Sequence, residues 1–301
     1  MTGALVGIVG AGAVGQTLAA GLVAAALPDR LLVVSRQPDQ ASALAADLQD
    51  LAHAARSRTE VEPGEVADLP GCDAVVIALR TDFTNTAEHD IRRGGAFANA
   101  PALGTLARQL RGFGGTVLVV TNPVDLMTRR FAEVSGCARV FGIGSNLDST
   151  RYRLLMARYA RVNPDLVRGH VIGEHGDRAV ICASTTTVDG RPVSVPIGAV
   201  AKELQQRPAL IRTGIGRTRC GPAGAVLSTL RKSLGLADGI EELSVPYQDV
   251  WLGIPMRFTG GHAVACLPHL TGTERRCLDA AATSLRDAYT HLPAHTERIA
   301  P

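Results

Sequence analysis

Along the first 145 residues, short unbroken apolar runs alternate with longer stretches patterned for helices. The runs are ALVGIVG (4–10), RLLVVS (30–35), CDAVVIAL (72–79), GTVLVVTNP (115–123) and ARVFGIG (138–144). Helical patterning covers about 14–26, 40–55, 99–111 and 125–135. Strands apolar on both faces are buried on both faces, and their alternation with helices builds a parallel sheet. The prediction is an α/β fold, a Rossmann-type doubly wound parallel sheet of five strands. Residues 80–95 are polar and show no period.

The pattern changes after residue 145. A long helix is predicted over 147–161, followed by the polar turn VIGEHGD at 171–177. TTTVDGRPV, 185–193, carries an Asp189-Gly190 hairpin signal. A helical stretch ends near Gly235, and WLGIPMRFTGGHAVACL, 251–267, reads as antiparallel strands. A closing helix over 273–291 has Thr271 or Thr273 as its cap. This half is α+β. The expected domains are therefore a dinucleotide-binding domain, 1–145, and a substrate and catalytic domain, 146–301, packed without a linker.

Composition narrows the class. Hydrophobic residues make up 46% of the 301 and charged residues 20%, as in soluble globular chains. A net charge of +3 with no basic run gives no surface for a polyanion, so no nucleic-acid partner is expected. No apolar run approaches the roughly 18 residues of a membrane span, and the N-terminus lacks a basic signal-peptide region. The six cysteines form no C-x-x-C and no zinc-ligand spacing. They read as reduced thiols in the interior of a cytoplasmic protein, with no metal site.

Gly10-Ala11-Gly12-Ala13-Val14-Gly15 follows the first strand and opens the first helix, the context that gives a G-x-G-x-x-G its meaning. Gly10 permits the turn, Gly12 admits a pyrophosphate and Gly15 allows close packing. Together with Val14 they are the predicted phosphate-binding turn, its charge met by a helix N-terminus. An acid normally ends the second strand to bind the ribose diol. Here the strand ends Val33-Val34-Ser35-Arg36. A hydroxyl and a guanidinium suit a 2′-phosphate, so NADP is the expected cofactor, with NAD possible. The alternative is a solvated Arg36 and a relaxed site.

TNPVD (121–125) ends the fourth strand, and Asn122 before a proline reads first as a turn former. SNLDSTRYRLLMA (145–157) opens the long helix, where Ser145 and Asp148 fit a capping box. Asp148 and Arg151 share one helix face. Glu174, His175 and Asp177 crowd a loop with glycines at 173 and 176. Read locally, the loop is either an ordinary polar turn or a mount for His175.

The order GAGAVG, VTNPVD, SNLDSTRYRLLM, VIGEHGD, with LSVPYQDVWLGIP at 243–255, resembles the L-lactate/malate dehydrogenase family over nearly the whole chain. The likeness is greatest to its lactate and 2-hydroxyacid dehydrogenase branch. The resemblance implies that His175 exchanges the substrate proton, with Asp148 on its other ring nitrogen. It implies that Arg151 grips the substrate carboxylate and that Asn122 bridges cofactor and substrate. It also implies that Thr218, in GRTRCGPAG, lies near the nicotinamide and the substrate side chain. A carbonyl-polarising arginine falls on Arg92, seven residues before Asn99, or on its neighbour Arg93. The substrate is then a small 2-oxo or 2-hydroxy acid.

Three features depart from the family pattern. Ser35 replaces the strand-two acid. Arg80-Thr81 replaces an Ala-Gly pair, bringing a cation near the cofactor. The loop Asp82–Gly95 is about two residues longer and lacks the proline-glycine pattern. Thr86 and Ala87 stand where a malate enzyme carries a further arginine, which argues against a dicarboxylate. Malate dehydrogenase and a non-catalytic dinucleotide-binding protein remain the alternatives. A homo-oligomer is expected, dimer or tetramer. The short segment before the first strand favours the dimer.

Overall fold

The computed structural model describes residues 3–84 and 91–293, with residues 91 and 92 described by main chain alone. The first half runs β1 (Leu5–Val9), α1 (Ala13–Ala24), β2 (Arg30–Val34), α2 (Pro38–Ala54), β3 (Glu60–Gly64) and β4 (Ala74–Ile77). It continues with α3 (Ala96–Gln109), β5 (Thr116–Val119), α4 (Val124–Ser135) and β6 (Val140–Ile143). All these strands pair in parallel, in the order β3-β2-β1-β4-β5-β6. The winding reverses between β1 and β4. A crevice forms at such a switch point, beyond the carboxyl ends of the strands.

Five strands match the predicted runs, and β3 is a sixth. Its sequence EVEPG buries only Val61 and places Pro63 opposite Val33 of β2. Proline and charge suit an edge strand, where one side of the ladder faces no partner. A strand with one buried residue leaves no apolar run to read.

The second half comprises α5 (Ser145–Ala160), β7 (Val167–Arg168), β8 (Val171–Gly173), β9 (Ala179–Ile181), β10 (Thr187–Val188) and β11 (Arg191–Pro192). Then come α6 (Ile197–Ile215), α7 (Cys220–Ser233), β12 (Gly239–Tyr247), β13 (Val250–Thr259), β14 (His262–Ala265) and α8 (Gly272–Thr290). The parallel sheet does not stop at β6. β12 pairs antiparallel with it, Leu243 opposite Ile143 and Ser244 opposite Gly142, and the order continues β12-β13-β8-β9. One apolar core follows this sheet across both halves, while Tyr152, Leu155, Val167 and Val200 form a smaller cluster.

Local signals are mostly realised. Asp189 (φ 51°) and Gly190 (φ 72°) turn the hairpin between β10 and β11. Thr271 caps α8: its hydroxyl accepts from Glu274 N, and Glu274 Oε2 accepts from Thr271 N at 2.8 Å. The helical stretch predicted to run on to Gly235 is two helices instead. Gly216, at φ 79°, ends α6 as glycine commonly ends a helix, and Thr218 sits in the connection to α7. Cys72, Cys137 and Cys182 are buried thiols as expected, and burial pushes Cys182 up to about 12. Cys220 and Cys277 are exposed, which corrects the interior reading for those two. Among the described residues no helix is long and apolar enough to cross a membrane.

One side chain fastens α5 to β8. The buried Ser149 hydroxyl donates to Val171 O (3.1 Å) and accepts from Val171 N (2.8 Å). Ser149→Ala strands a buried N–H, and a stranded buried donor costs roughly 1–3 kcal/mol. Urea unfolding is expected to show a loss of that size. An unchanged midpoint would mean that the helix is held by its apolar face alone.

Candidate active site

Between β1 and α1 the chain turns through Gly10 at φ 114°, where a Cβ would lie 2.8 Å from the Ala78 carbonyl. A Cβ on Gly15 would lie 1.8 Å from the Gly10 oxygen, so the first turn of α1 closes on the loop only with glycine there. Gly12 is exposed and has nothing within 4 Å of its missing side chain. It is also the N-cap of α1, with no side-chain acceptor for the first-turn N–H groups. Open backbone and unmatched donors fit a pyrophosphate. Val14 is half-buried in the same turn.

At the end of β2, Ser35 Oγ donates to Gln40 Oε1 at 2.8 Å and accepts from Gln37 N at 3.3 Å. Gln40 also reaches the Ala11 carbonyl at 3.5 Å, linking this corner to the glycine turn. Sequence reasoning missed Gln40, which has no motif of its own. Arg36 lies 3.7 Å from Asp82, and both are exposed. An exposed pair of that length contributes little. Arg80 stacks its guanidinium 4.6 Å from the Phe83 ring centroid.

His175 sits where three segments meet. Its Nδ1 lies 2.6 Å from Asp148 Oδ2. A carboxylate only accepts, so Nδ1 carries the hydrogen of this bond. Asp148 Oδ1 accepts from Arg151 at 3.3 Å, and all three residues are buried. Asp148 is thus not a helix cap. The N-cap of α5 is Gly144, with no side-chain capping bond, and Ser145 Oγ donates to Gly173 O at 3.5 Å. The capping-box reading fails because both side chains are drawn to the β8 loop. A Cβ on Gly144 would lie 2.5 Å from His175 Cγ, so the imidazole packs on bare backbone.

The loop is shaped by its glycines and by buried side chains. Gly173 takes φ 81°, and a Cβ on Gly176 would press within 2.8 Å of the Glu174 carboxylate. Glu174 is buried and pairs with Arg93 at 2.6 Å. Arg93 also donates to Ser284 Oγ on α8 at 3.0 Å. Its guanidinium is therefore engaged by the wall of the His175 loop. Arg92 keeps its main chain in the short 3-10 helix Ile91–Gly95, and its side chain lies outside the described residues. Thr86 and Ala87 lie outside them altogether.

Asn122 is exposed at the carboxyl end of β5. Its carbonyl accepts from buried Asn99 at 2.9 Å, while Asn99 Oδ1 accepts from Thr81 N and Oγ1. Asn99 thereby ties the ends of β4 and β5 together, a second role that sequence left unread. Thr218 is half-buried and outside the His175 cluster of hydrogen bonds. Among the described residues no group of three or more His, Cys, Asp or Glu side chains is arranged to hold a metal.

Asp125, in the first turn of α4, accepts from the His175 main-chain N at 2.8 Å through Oδ2. It is only 3% exposed. Burial pushes its carboxyl up to about 7, with Glu174 and Asp148 adding to the rise and the nearby Ser244 hydroxyl and the bond from His175 N opposing it. A folded pKa above the unfolded one means that the native state binds the proton more tightly. Its contribution to stability is then present at low pH and is lost as pH rises from about 4 to about 7. Asp125→Asn removes this slope. Urea unfolding at a series of pH values in that window should show wild type losing stability relative to the variant as pH rises. Parallel curves would sink the assignment.

The chain was compared with known proteins. Residues 4–142 match the family model described as lactate/malate dehydrogenase, NAD binding domain, and residues 145–213 match its alpha/beta C-terminal domain. The L-lactate dehydrogenase of Deinococcus radiodurans is 34% identical over 303 residues, covering 93% of this chain and 97% of that protein. The L-lactate dehydrogenase of Lactococcus lactis subsp. cremoris is 32% identical over 199 residues, 62% of this chain. The chain spans only 60% of that relative's length. A lactate dehydrogenase structure from a Medee basin deep-sea metagenome library superposes with a TM-score of 0.89 at 22% identity. It covers 97% of this chain and 100% of that one, a likeness of fold. Sequence and fold together assign the chain to the lactate/malate dehydrogenase family.

Proposed function

We propose that this protein is an NAD(P)-dependent L-2-hydroxyacid dehydrogenase of the lactate type, acting on a small 2-oxo or 2-hydroxy acid. The observation that carries this reading is the buried His175–Asp148 pair beside Arg151. With Nδ1 held by Asp148, Nε2 is the nitrogen that gives a proton to the substrate oxygen during reduction and takes it back during oxidation. Asp148 stabilises the imidazolium that forms. Arg151 holds the substrate carboxylate in a two-pronged grip. Arg92 polarises the carbonyl, and Arg93 anchors the end of the loop that carries Arg92. Asn122 orients the reacting groups and Thr218 borders the substrate side chain. A bound nicotinamide supplies or accepts the hydride at the substrate C2.

In this reading residues 1–145 hold the cofactor and residues 146–301 the substrate. NADP is preferred over NAD. Support comes from Ser35 in place of an acid and from the exposed cations Arg36 and Arg80 near the mouth of the crevice. A charged hydrogen bond to the phosphate is worth roughly 1.5–3 kcal/mol, or about 10- to 150-fold. The protein is read as a cytoplasmic homo-oligomer, with the dimer favoured.

Two measurements test the function. Nicotinamide absorbance is followed across a panel of 2-oxo acids that includes pyruvate and oxaloacetate. Turnover with a monocarboxylate is expected. Preference for oxaloacetate would make it a malate enzyme, and no turnover with any acid would leave a dinucleotide-binding protein. His175→Asn should keep cofactor binding and cut turnover by roughly 10²–10⁴-fold, as loss of a general acid–base does. A variant with half the wild-type rate would remove His175 from the proton path.

The cofactor preference is tested by kcat/KM with NADPH and NADH. NADPH is expected to lead by at least about tenfold, and Ser35→Asp to reverse the order, since a carboxylate binds a diol and repels a phosphate. Wild-type preference for NADH would show that Arg36 serves only the solvent and Asp82.

A further inference from the structure

His175 is held by its main chain as well as by its side chain. Asp148 holds the ring through Nδ1. Asp125 holds the main chain through His175 N. Gly144 gives the ring a flat wall that leaves no room for a side chain. The ring's position therefore depends on the His175 backbone staying where Asp125 puts it. We propose that Asp125 is a positioning residue for His175: its buried carboxyl fixes the His175 main chain and so aims the imidazole held by Asp148. The inference rests on the proposed proton role of His175.

The surroundings of Asp125 fit a group kept for more than packing. Oδ2 is used by the His175 N–H, but Oδ1 is buried and completes no hydrogen bond of normal geometry. The same holds for the buried Ser244 hydroxyl of β12, which lies close enough to favour the ionised carboxyl. Unsatisfied buried polar atoms are costly, and a carboxyl could be replaced at lower cost by an apolar residue if it only filled space. A proton on Oδ1 would satisfy both atoms by donating to Ser244. Asp125 then exchanges a neutral state that donates to Ser244 for an ionised state that faces His175. Both states keep the bond from His175 N.

The charged groups around it all bear on the same imidazole. Asp148 on α5 is compensated by Arg151. Glu174 is compensated by Arg93 and, at 3.9 Å, by Arg178. Among the described residues no cation pairs with Asp125 within salt-bridge distance. Its ionised form therefore adds negative charge beside His175 and favours the imidazolium.

The test compares Asp125→Ala with Asp125→Asn in the full-length protein. Alanine removes the acceptor. Displacement of a catalytic group by about 1 Å costs up to about 10²-fold, so kcat should fall roughly 10- to 100-fold while substrate KM changes less than about threefold. Asparagine keeps an acceptor for His175 N and a donor for Ser244, and should recover most of that loss. It lacks the charge, so the limb of the kcat/KM profile that reports His175 should move to lower pH by roughly half a unit or more. The same shift should appear in the imidazole NMR signal that is lost in His175→Asn. This readout needs no turnover. It still decides the case if alanine prevents folding or if wild type turns over no 2-oxo acid, a result that would overturn the proposed function separately. Wild-type kcat in the alanine variant, equal losses in both variants, or an unmoved His175 signal in Asp125→Asn would each overturn the role of Asp125.

Discussion

The pairing of β12 against β6 is the constraint on which the rest depends. Leu243 opposite Ile143 and Ser244 opposite Gly142 carry one sheet from the parallel half into the antiparallel half. β13 then brings β8 alongside through Gly253 and Gly173. That chain of backbone hydrogen bonds sets the His175 loop beside α4 and α5, where side chains then fasten it. With it, residues 125, 148 and 175 converge on one point. The glycines at 142, 144 and 253 serve the same end, since an added Cβ at each would press on a neighbouring element, and Gly173 supplies a positive φ.

Convergence of this kind concentrates charge. Asp125, Asp148, Arg151, Glu174 and His175 are all buried. Burying charges is costly unless they are paired and hydrogen-bonded. Asp148 is matched by His175 and Arg151, and Glu174 by Arg93. Among the described residues no cation pairs with Asp125, and burial raises its carboxyl to about 7. The sheet holds this cluster together against its own electrostatics. Perturbed acids of this sort gather where proton chemistry is done.

The cofactor crevice is built from simpler means. Glycine at 10, 12 and 15 clears the approach to a bare helix N-terminus, and Asn99 laces the ends of β4 and β5 beneath it. The corner at Ser35, Gln37 and Gln40 is polar and carries no acid. Arg36 and Arg80 stand at its mouth, one near Asp82 and one on Phe83, so neither is locked by a close ion pair among the described residues.

The sequence by itself determined the alternation of strands and helices, the glycine turn, the Asp189-Gly190 hairpin and the capping threonine of α8. These rest on local chemistry: apolar period, glycine's tolerance of positive φ, and reach of a side chain over three residues. It also supplied His175, Asp148 and Arg151, but only through the order of motifs, since each alone had an equally good local use. Tertiary structure decided which partners these side chains have. The capping box at Ser145 and Asp148 gave way because a longer-range partner, His175, binds that carboxylate more usefully than a helix N–H does. β3 was invisible because an edge strand with one buried residue carries no apolar run. Asp125, Asn99, Gln40 and the Arg93–Glu174 pair were illegible for a single reason. The partners that matter here, Thr81, Asn122, Ala11, His175 and Glu174, lie 18 to 81 residues away, and only the sheet brings them within hydrogen-bonding distance.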